Sequence, residues 1–394
     1  MSPESDPNER YRQRRAQARR RKYRLRRTVA LVALIVTAAL IALGATVVAG
    51  HGSSGDKSAA KTTTAEASKK KTVTRTPLPD QVRGVHVTMA LANEPGKLDE
   101  YLKIRGLTAL ELDVKDENGK VGFLMPASTL ARKVGASQPY YKAGVAAGKA
   151  RKAGIYLIGR VVTFEDPTLT AARPDLAIRT TSGGVWTNNA GLGWANPYDK
   201  RVWDYVVGIG ERAAKAGFDE IQFDYVRFPS DGPIENAVFP HKVAEPMGWT
   251  IARFVHYATQ RLHPLGVRVS VDVFGLSATH DLGIGQVPGR LAKYVDAVYP
   301  MVYPSHFGPG EYSLDDPNAA PGETVQYALS HFRRELRSGK AMLIPWLQDF
   351  SYGRTYALAD VQAQIDAARQ MGAKGYLLWN PLGVYTPGTL APAR

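Results

Sequence analysis

Eight short apolar runs recur along the last four-fifths of the chain, and they predict the strands of an α/β fold. The runs cover 84–89, 109–114, 155–162, 220–226, 267–274, 297–302, 341–347 and 375–379. Helix-like stretches such as 201–216 and 250–263 lie between them, and Gly154, Gly217 and Gly266 stand where a helix would end before the next strand. Eight alternations of strand and helix predict a (β/α)8 TIM barrel.

The segment FDEIQFDYVRFP at 218–229, which contains the fourth run, places a carboxylate where barrel chemistry is expected. Strand alternation puts three of its residues on the face that would line the barrel interior: Gln222, Asp224 and Val226. Asp224 would then stand near the C-terminal end of an inward face, where TIM barrels place their active sites. The alternative is a capping or salt-bridging aspartate, paired with Arg227. We favour direct contact with a ligand, because a desolvated charge has no packing use in a barrel interior.

Polar and aromatic residues also follow the other predicted strands. Besides Asp224, the candidate site residues are His86, Asp113, Arg160, Arg227, Asp272, Tyr303, His306, Trp346, Asp349 and Trp379, with Glu111 and Glu165 in reserve. Carboxylates among Trp and Tyr are typical of enzymes that act on sugars, because aromatic faces stack on pyranose rings and two acids supply the proton transfer and nucleophilic work. The sequence has no H-x-H pair, no H-E-x-x-H and no G-x-S-x-G motif, which argues against a histidine-ligated metal hydrolase and a serine hydrolase. No metal or organic cofactor is predicted.

The N-terminal 50 residues differ from the rest of the chain in charge and hydrophobicity. Residues 1–27 contain 11 Lys and Arg against 3 Asp and Glu, which accounts for over half of the net charge of +15. The uncharged run 28–50 is long enough to cross a bilayer as a helix, and its basic flank predicts a cytoplasmic N terminus. A cleaved signal peptide is the alternative, although the apolar run is long for one. We therefore expect a single-pass protein of the cell membrane with an extracytoplasmic domain.

The remaining organisation follows from composition. Residues 51–80 are rich in Ser, Thr, Ala and Lys, which predicts a flexible linker, and 81–394 would form the barrel. An arginine-rich tail could also be a nucleic-acid arm, but the apolar run directly after it favours a lipid bilayer as the partner of 28–50. We expect no nucleic-acid partner.

Four segments give the sequence a specific resemblance: FDEIQFDYVRFPSDG at 218–232, VSVDVFG at 269–275, DAVYPMVYPSHF at 296–307 and GYLLWNP at 375–381. They resemble a glycoside hydrolase-like family of TIM barrels that was long carried as a domain of unknown function. The resemblance covers roughly 80–390. It implies a glycosidase-type barrel without specifying its substrate.

Comparison with better-known glycosidase barrels implies roles for three acids. The fourth strand is similar to the D-G-x-D-x-D-x-E strand of chitinase-like barrels, but Val226 stands where their acidic Glu would be, which argues against their substrate-assisted chemistry. An amylase-like arrangement implies Asp224 as nucleophile or charge stabiliser, Asp272 as general acid and Asp349 as a second charge stabiliser. Neighbouring strand ends would permit the carboxyl separation of about 5–5.5 Å that a retaining mechanism needs.

The sequence thus predicts a membrane-anchored glycoside hydrolase that acts on a cell-wall or extracellular polysaccharide. The eight candidates for substrate binding are His86, Asp113, Arg160, Arg227, Tyr303, His306, Trp346 and Trp379. Trp186 and Trp194 lie in a long loop, 181–197, that we expect to cover the cleft. Two alternatives stay open: a non-catalytic carbohydrate-binding barrel that serves as receptor or scaffold, and a DNA or lipid adaptor that works through its basic tail.

Overall fold

Eight parallel strands close into a barrel in the computed structural model, which describes residues 75–391. In chain order they are β1 Val82–Val87, β2 Ala109–Lys115, β3 Tyr156–Val162, β4 Glu220–Asp224, β5 Arg268–Phe274, β6 Ala297–Met301, β7 in two segments, Met342–Leu343 and Trp346–Gln348, and β8 Gly375–Trp379. Each strand pairs with the next in the chain, and β8 also pairs with β1. The predicted eight-stranded barrel is therefore confirmed.

Helices follow the strands and pack on the outside of the barrel. The described residues contain α1 Met89–Asn93, α2 Lys97–Leu102, α3 Leu130–Lys133, α4 Ala143–Lys152, α5 Pro167–Ala172, α6 Lys200–Ala216, α7 Met247–Leu262, α8 Pro288–Leu291, α9 Pro321–Glu335 and α10 Leu358–Gln370. The longest, α6, begins after Asp199, whose carboxylate accepts a hydrogen bond from the backbone N–H of Arg201. It ends at Gly217, whose φ of 104° is the left-handed conformation expected of a helix C-cap glycine.

Strand β4 shows how alternation separates the two faces of the barrel. Ile221 and Phe223 belong to the apolar core between strands and helices, whereas Gln222 and Asp224 face the interior and contact residues of neighbouring strands. The alternation stops at Tyr225, because its φ of 49° turns the chain out of the strand. Val226 consequently packs in the outer core, and its predicted place on the interior face is corrected.

The loops after β3 and β4 are joined to each other. Residues Arg179–Thr180 and Ala237–Val238 form a two-stranded antiparallel ribbon between these loops. The indole N–H of Trp186 donates to the carbonyl of Pro233 at 3.0 Å, and both Trp186 and Trp194 are buried. The two tryptophans therefore fix the loops to each other.

The chain enters the barrel at the N-terminal ends of the strands. Arg75 forms an ion pair with Asp296 at 2.9 Å, the carbonyl of Thr76 accepts a hydrogen bond from Arg268, and Leu78 packs against the interior apolar residues. Thus three of the last six residues of the predicted linker contact the barrel. The rest of that linker, the predicted transmembrane run 28–50 and the basic tail 1–27 lie outside the described residues. Within 75–391, no helix has the length and apolar character that crossing a membrane requires.

Candidate active site

Asp224 ends β4 with its carboxylate held from two sides. The Nε and Nη2 atoms of Arg160, on β3, donate to Oδ2 at 3.0 and 2.7 Å. The backbone N–H of Tyr225 donates to Oδ1 at 2.7 Å, and the left-handed backbone brings it there. A guanidinium that donates twice to one oxygen stabilises a carboxylate in its charged form. A tenth of the Asp224 side chain is exposed, so the charge borders the opening of the barrel.

Arg160 links Asp224 to the polar residues of β1 and β2. Its Nη1 donates to Asp113 at 2.8 Å. Asp113 Oδ2 lies 3.7 Å from Nε2 of His86, and Nδ1 of His86 lies 2.5 Å from Glu111 Oε2. Burial alone would lower the pKa of His86, but Asp113 and Glu111 outweigh it and raise that pKa. A continuous series of polar side chains therefore crosses the interior from β4 to β1.

Asp272 lies beside Asp224 on the next strand. Phe223 pairs with Val271, so the two aspartates follow at the same level of strands that are about 4.8 Å apart. One oxygen of Asp272 accepts hydrogen bonds from Trp346 Nε1, at 2.8 Å, and from Gln222. Burial, reinforced by the charge of Asp224, raises the pKa of Asp272 well above its ordinary value. Asp272 is therefore harder to ionise than an ordinary aspartate, and it is almost fully enclosed.

Aromatic rings line the interior next to these acids. Trp346 and Trp379 meet edge to face at 5.9 Å between ring centroids, and Trp379 lies 4.7 Å from the ring of His86. Tyr303 continues this wall to His306, whose ring is 5.4 Å away and exposed to solvent. Rings that run from the acids to the surface offer stacking faces for sugars.

Glu165 follows β3 and lies under the loop that Trp194 helps to anchor. Its Oε2 accepts a hydrogen bond from Asn188 at 2.8 Å. Burial raises the pKa of Glu165 to about 7, although the nearby charge of Arg227 opposes the shift. The main chain just before Glu165 lies against the end of β4, because the N–H of Thr163 donates to the carbonyl of Asp224 at 2.8 Å and the N–H of Phe164 donates to that of Tyr225 at 3.4 Å. A carboxyl group with this pKa exchanges its proton at neutral pH.

Arg227 lies beyond Asp224, among aromatic rings. Its guanidinium is 4.6 Å from the ring centroid of Phe274, 4.8 Å from that of Tyr225 and 5.0 Å from that of Trp194. These cation–π contacts hold the side chain, and Nη1 also donates to Ser230 at 3.0 Å. The structure thus places Arg227 near Glu165 rather than in the ion-pair chain of Arg160.

Asp349, the third catalytic candidate, contacts the loop after β8. After β7, one of its oxygens accepts the backbone N–H of Thr386 at 2.8 Å, and the other accepts the Thr386 hydroxyl at 2.6 Å. Burial raises the pKa of Asp349. These contacts tie the loop after β8 to the end of β7, and the role of Asp349 in charge stabilisation stays a prediction.

Most sequence-predicted site residues therefore meet at one end of the barrel. A continuous series of contacts joins seven of them: Asp224, Arg160, Asp113, His86, Trp379, Trp346 and Asp272. Sequence reasoning missed Glu117, which lies 3.5 Å from Arg160, as well as Asn188 and the backbone amide of Tyr225. The alternation of apolar and polar residues along strands could not have identified these three groups, because each lies in a loop or contributes only its main chain.

Comparisons with known proteins agree with the barrel fold. A family model described as "Putative glycosyl hydrolase domain" matches residues 84–385. The glycoside hydrolase domain of PgaB (BpsB) from Bordetella bronchiseptica has a similar fold, with a TM-score of 0.54 at 14% identity over 76% of this chain and 94% of that one.

Two further solved structures are similar to the chain. A hypothetical protein from Ruminiclostridium thermocellum is 34% identical over 48% of this chain and 97% of that one, with a TM-score of 0.43. The spore cortex-lytic enzyme SleL of Bacillus megaterium is 15% identical over 80% of this chain and 74% of its own, with a TM-score of 0.47. No curated protein matches the chain. Because the family model spans nearly the whole barrel, the chain belongs to this family of glycosyl hydrolase domains and is a glycosidase-type TIM barrel.

Proposed function

We propose that the protein is a membrane-anchored, extracytoplasmic glycoside hydrolase that cleaves a cell-wall or extracellular polysaccharide. One observation carries the hydrolytic assignment: Asp224, whose carboxylate accepts two hydrogen bonds from Arg160, lies level with Asp272, whose pKa burial raises, inside an aromatic-lined cleft. Glycosidic cleavage needs one ionised and one protonated carboxyl, and a barrel that only binds sugar needs neither.

Asp224 is the nucleophile or charge stabiliser of this proposal. It is the acid whose negative charge is compensated by a guanidinium and whose side chain reaches the opening. The proton donor is a protonated carboxyl nearby. Asp272 is the donor that the sequence suggests, and Glu165 is a second group that the structure makes available. Trp379, Trp346 and Tyr303 would stack against sugar rings, and the polar groups of His86 and Asp113 would bind hydroxyls.

The location and target rest on the N-terminal sequence. A basic segment followed by an uncharged apolar run supports a membrane anchor, which would place the barrel outside the cytoplasm. A hydrolase held there would meet polymers of the cell wall or the extracellular matrix. The wall of rings from Trp379 to the exposed His306 supports a substrate of more than one sugar.

The test is release of reducing ends from a panel of bacterial polysaccharides by full-length protein. Asp224→Asn should lower the rate at least about 10²-fold, because the charge that the transition state requires is removed. Asp366→Asn, on the exposed face of α10, is the matched control and should have no effect. If wild type and Asp224→Asn bind the same glycan and neither releases sugar, the protein is a carbohydrate receptor. Equal activity of the two would refute the assignment of Asp224.

A further inference from the structure

Lys115, at the end of β2, is a fully buried lysine. Its Nζ donates to the carbonyl of Val162 at 2.8 Å, lies 3.4 Å from the carbonyl of Glu165 and forms an ion pair with Asp166 at 3.0 Å. Burying an ammonium group is costly unless several partners compensate its charge. All of these partners belong to the end of β3 and the loop that carries Glu165. Lys115 thus holds that loop in place.

A bulge in β2 aims Lys115 at this loop. Asp113 lies opposite Arg160, but Lys115 lies opposite Val161, so β2 has one residue more than β3 between these pairs. A bulge bends the strand and redirects the following side chain. Asp113 consequently stays on the interior face with Arg160, and Lys115 turns toward the end of β3.

The main chain on both sides of Glu165 is fixed as well. The carbonyl of Phe164 accepts a hydrogen bond from Ala195 at 2.7 Å, and the N–H of Asp166 donates to Gly193 at 3.0 Å. The Asp166 carboxylate, besides pairing with Lys115, accepts the N–H of Leu169 at 2.7 Å and caps α5. With its backbone held at both neighbours, Glu165 has only its side-chain torsions left to vary.

The side chain of Glu165 suits proton transfer better than that of Asp272. Asp272 is 1% exposed, and Trp346 and Gln222 both donate to the same one of its oxygens. Glu165 accepts a single hydrogen bond, from Asn188, and its pKa of about 7 lets it both give and take a proton at neutral pH.

We propose that Glu165 is the proton donor to the leaving-group oxygen and that Lys115 is the positioning residue that holds it over the cleft. This inference rests on the proposed hydrolase function. Glu165 gives its proton to the glycosidic oxygen as the C1–O bond breaks, and the electron pair of that bond leaves with the oxygen. Asp224 balances the positive charge that develops at C1. A water molecule then adds to C1 and returns a proton to Glu165.

The test compares two substrates in full-length protein. One is the polysaccharide that the wild type cleaves, and the other is the 2,4-dinitrophenyl glycoside of the sugar released, whose leaving group needs no proton. Glu165→Gln should lower kcat on the polysaccharide about 10²–10⁴-fold and leave the dinitrophenyl glycoside within about tenfold of wild type. Asp224→Asn should lose both activities. The fall in wild-type activity as pH rises through about 7 should disappear in Glu165→Gln.

Lys115→Met should lower kcat more than it changes KM. It should also shift the pH at which activity falls near 7, whereas a lysine that served only folding would leave that pH unchanged. Lys115→Met with Asp166→Asn removes both buried charges and serves if the single variant does not fold. If Asp272→Asn loses activity on the polysaccharide but keeps it on the dinitrophenyl glycoside, and Glu165→Gln does not, then Asp272 is the donor and the inference is wrong. Unchanged kcat and pH dependence in the folded Lys115 variants would refute the positioning role. A wild type inactive on both substrates would refute the proposed function itself.

Discussion

Replacing Lys115 by methionine is a quantitative test of how the loop after β3 is held. The substitution preserves much of the side-chain volume but leaves Asp166, which is 1% exposed, as a buried carboxylate without its counter-ion. Removing one partner of a buried ion pair costs about 3–5 kcal/mol. Since a domain is typically stable by only about 5–15 kcal/mol, this loss is a large part of the free energy of unfolding.

The double variant Lys115→Met with Asp166→Asn isolates the charge. Asparagine can still cap α5, because its side-chain oxygen accepts the same backbone N–H. We therefore expect the double variant to be more stable than Lys115→Met alone. Arg173→Met is the matched control, because its ion pair with Asp175 is about half exposed and should contribute little to the free energy of unfolding.

Urea unfolding followed by tryptophan fluorescence measures these differences. All six tryptophans of the chain lie between 186 and 379, so the signal reports on the barrel. Equal losses of stability in Lys115→Met and Arg173→Met would refute the reasoning. So would a double variant less stable than Lys115→Met, because the unpaired Asp166 would then not be the source of the cost.

Two further predictions concern the backbone and loops of the site. Tyr225→Asn and Tyr225→Val both remove the ring, but asparagine tolerates the φ of 49° and a β-branched residue does not. Thermal unfolding should therefore show the valine variant to be less stable than the asparagine variant by about 1–3 kcal/mol. Equal melting temperatures would contradict the role of the left-handed backbone in placing the amide of Tyr225 at Asp224. Thr386→Val and Asp349→Asn should change activity to a similar extent, because each weakens the contact between the Thr386 hydroxyl and the Asp349 carboxylate. A fall in kcat of about 10²-fold confined to Asp349→Asn would instead show that this carboxylate acts on the developing charge.

The barrel was predictable because each strand has an apolar outer face that packs against helices, and β4 illustrates this with Ile221 and Phe223. Its interior face was predictable up to Asp224. The prediction failed at Val226, which packs outside the barrel. The left-handed backbone of Tyr225 turns the chain so that the next side chain points to the opposite face, and a tyrosine in the sequence does not signal such a conformation. The break in β7 at Pro345, which lacks a backbone N–H, is similarly local.

The candidate site was predictable as a set of strand-end residues but not as a set of charge states. In the sequence, Asp224, Asp272 and Glu165 are simply three acidic residues. What distinguishes them is the partner that the fold brings to each. Arg160 reaches Asp224 from 64 positions earlier, and Trp346 reaches Asp272 from 74 positions later. The raised pKa values of Asp272 and Glu165 follow from burial and from such long-range contacts, which no local pattern encodes.

Because the chain enters the barrel beside Asp296, attachment through this end fixes which face of the barrel points away from the point of attachment. At the other end of the described chain, Leu390 lies against Gly106, in the turn that leads into β2. Both Arg75 and Leu390 are therefore on the side of the barrel opposite to Asp224. A surface that captures the protein through either of these ends would leave the strand-end loops facing outward, where an insoluble polymer could reach them.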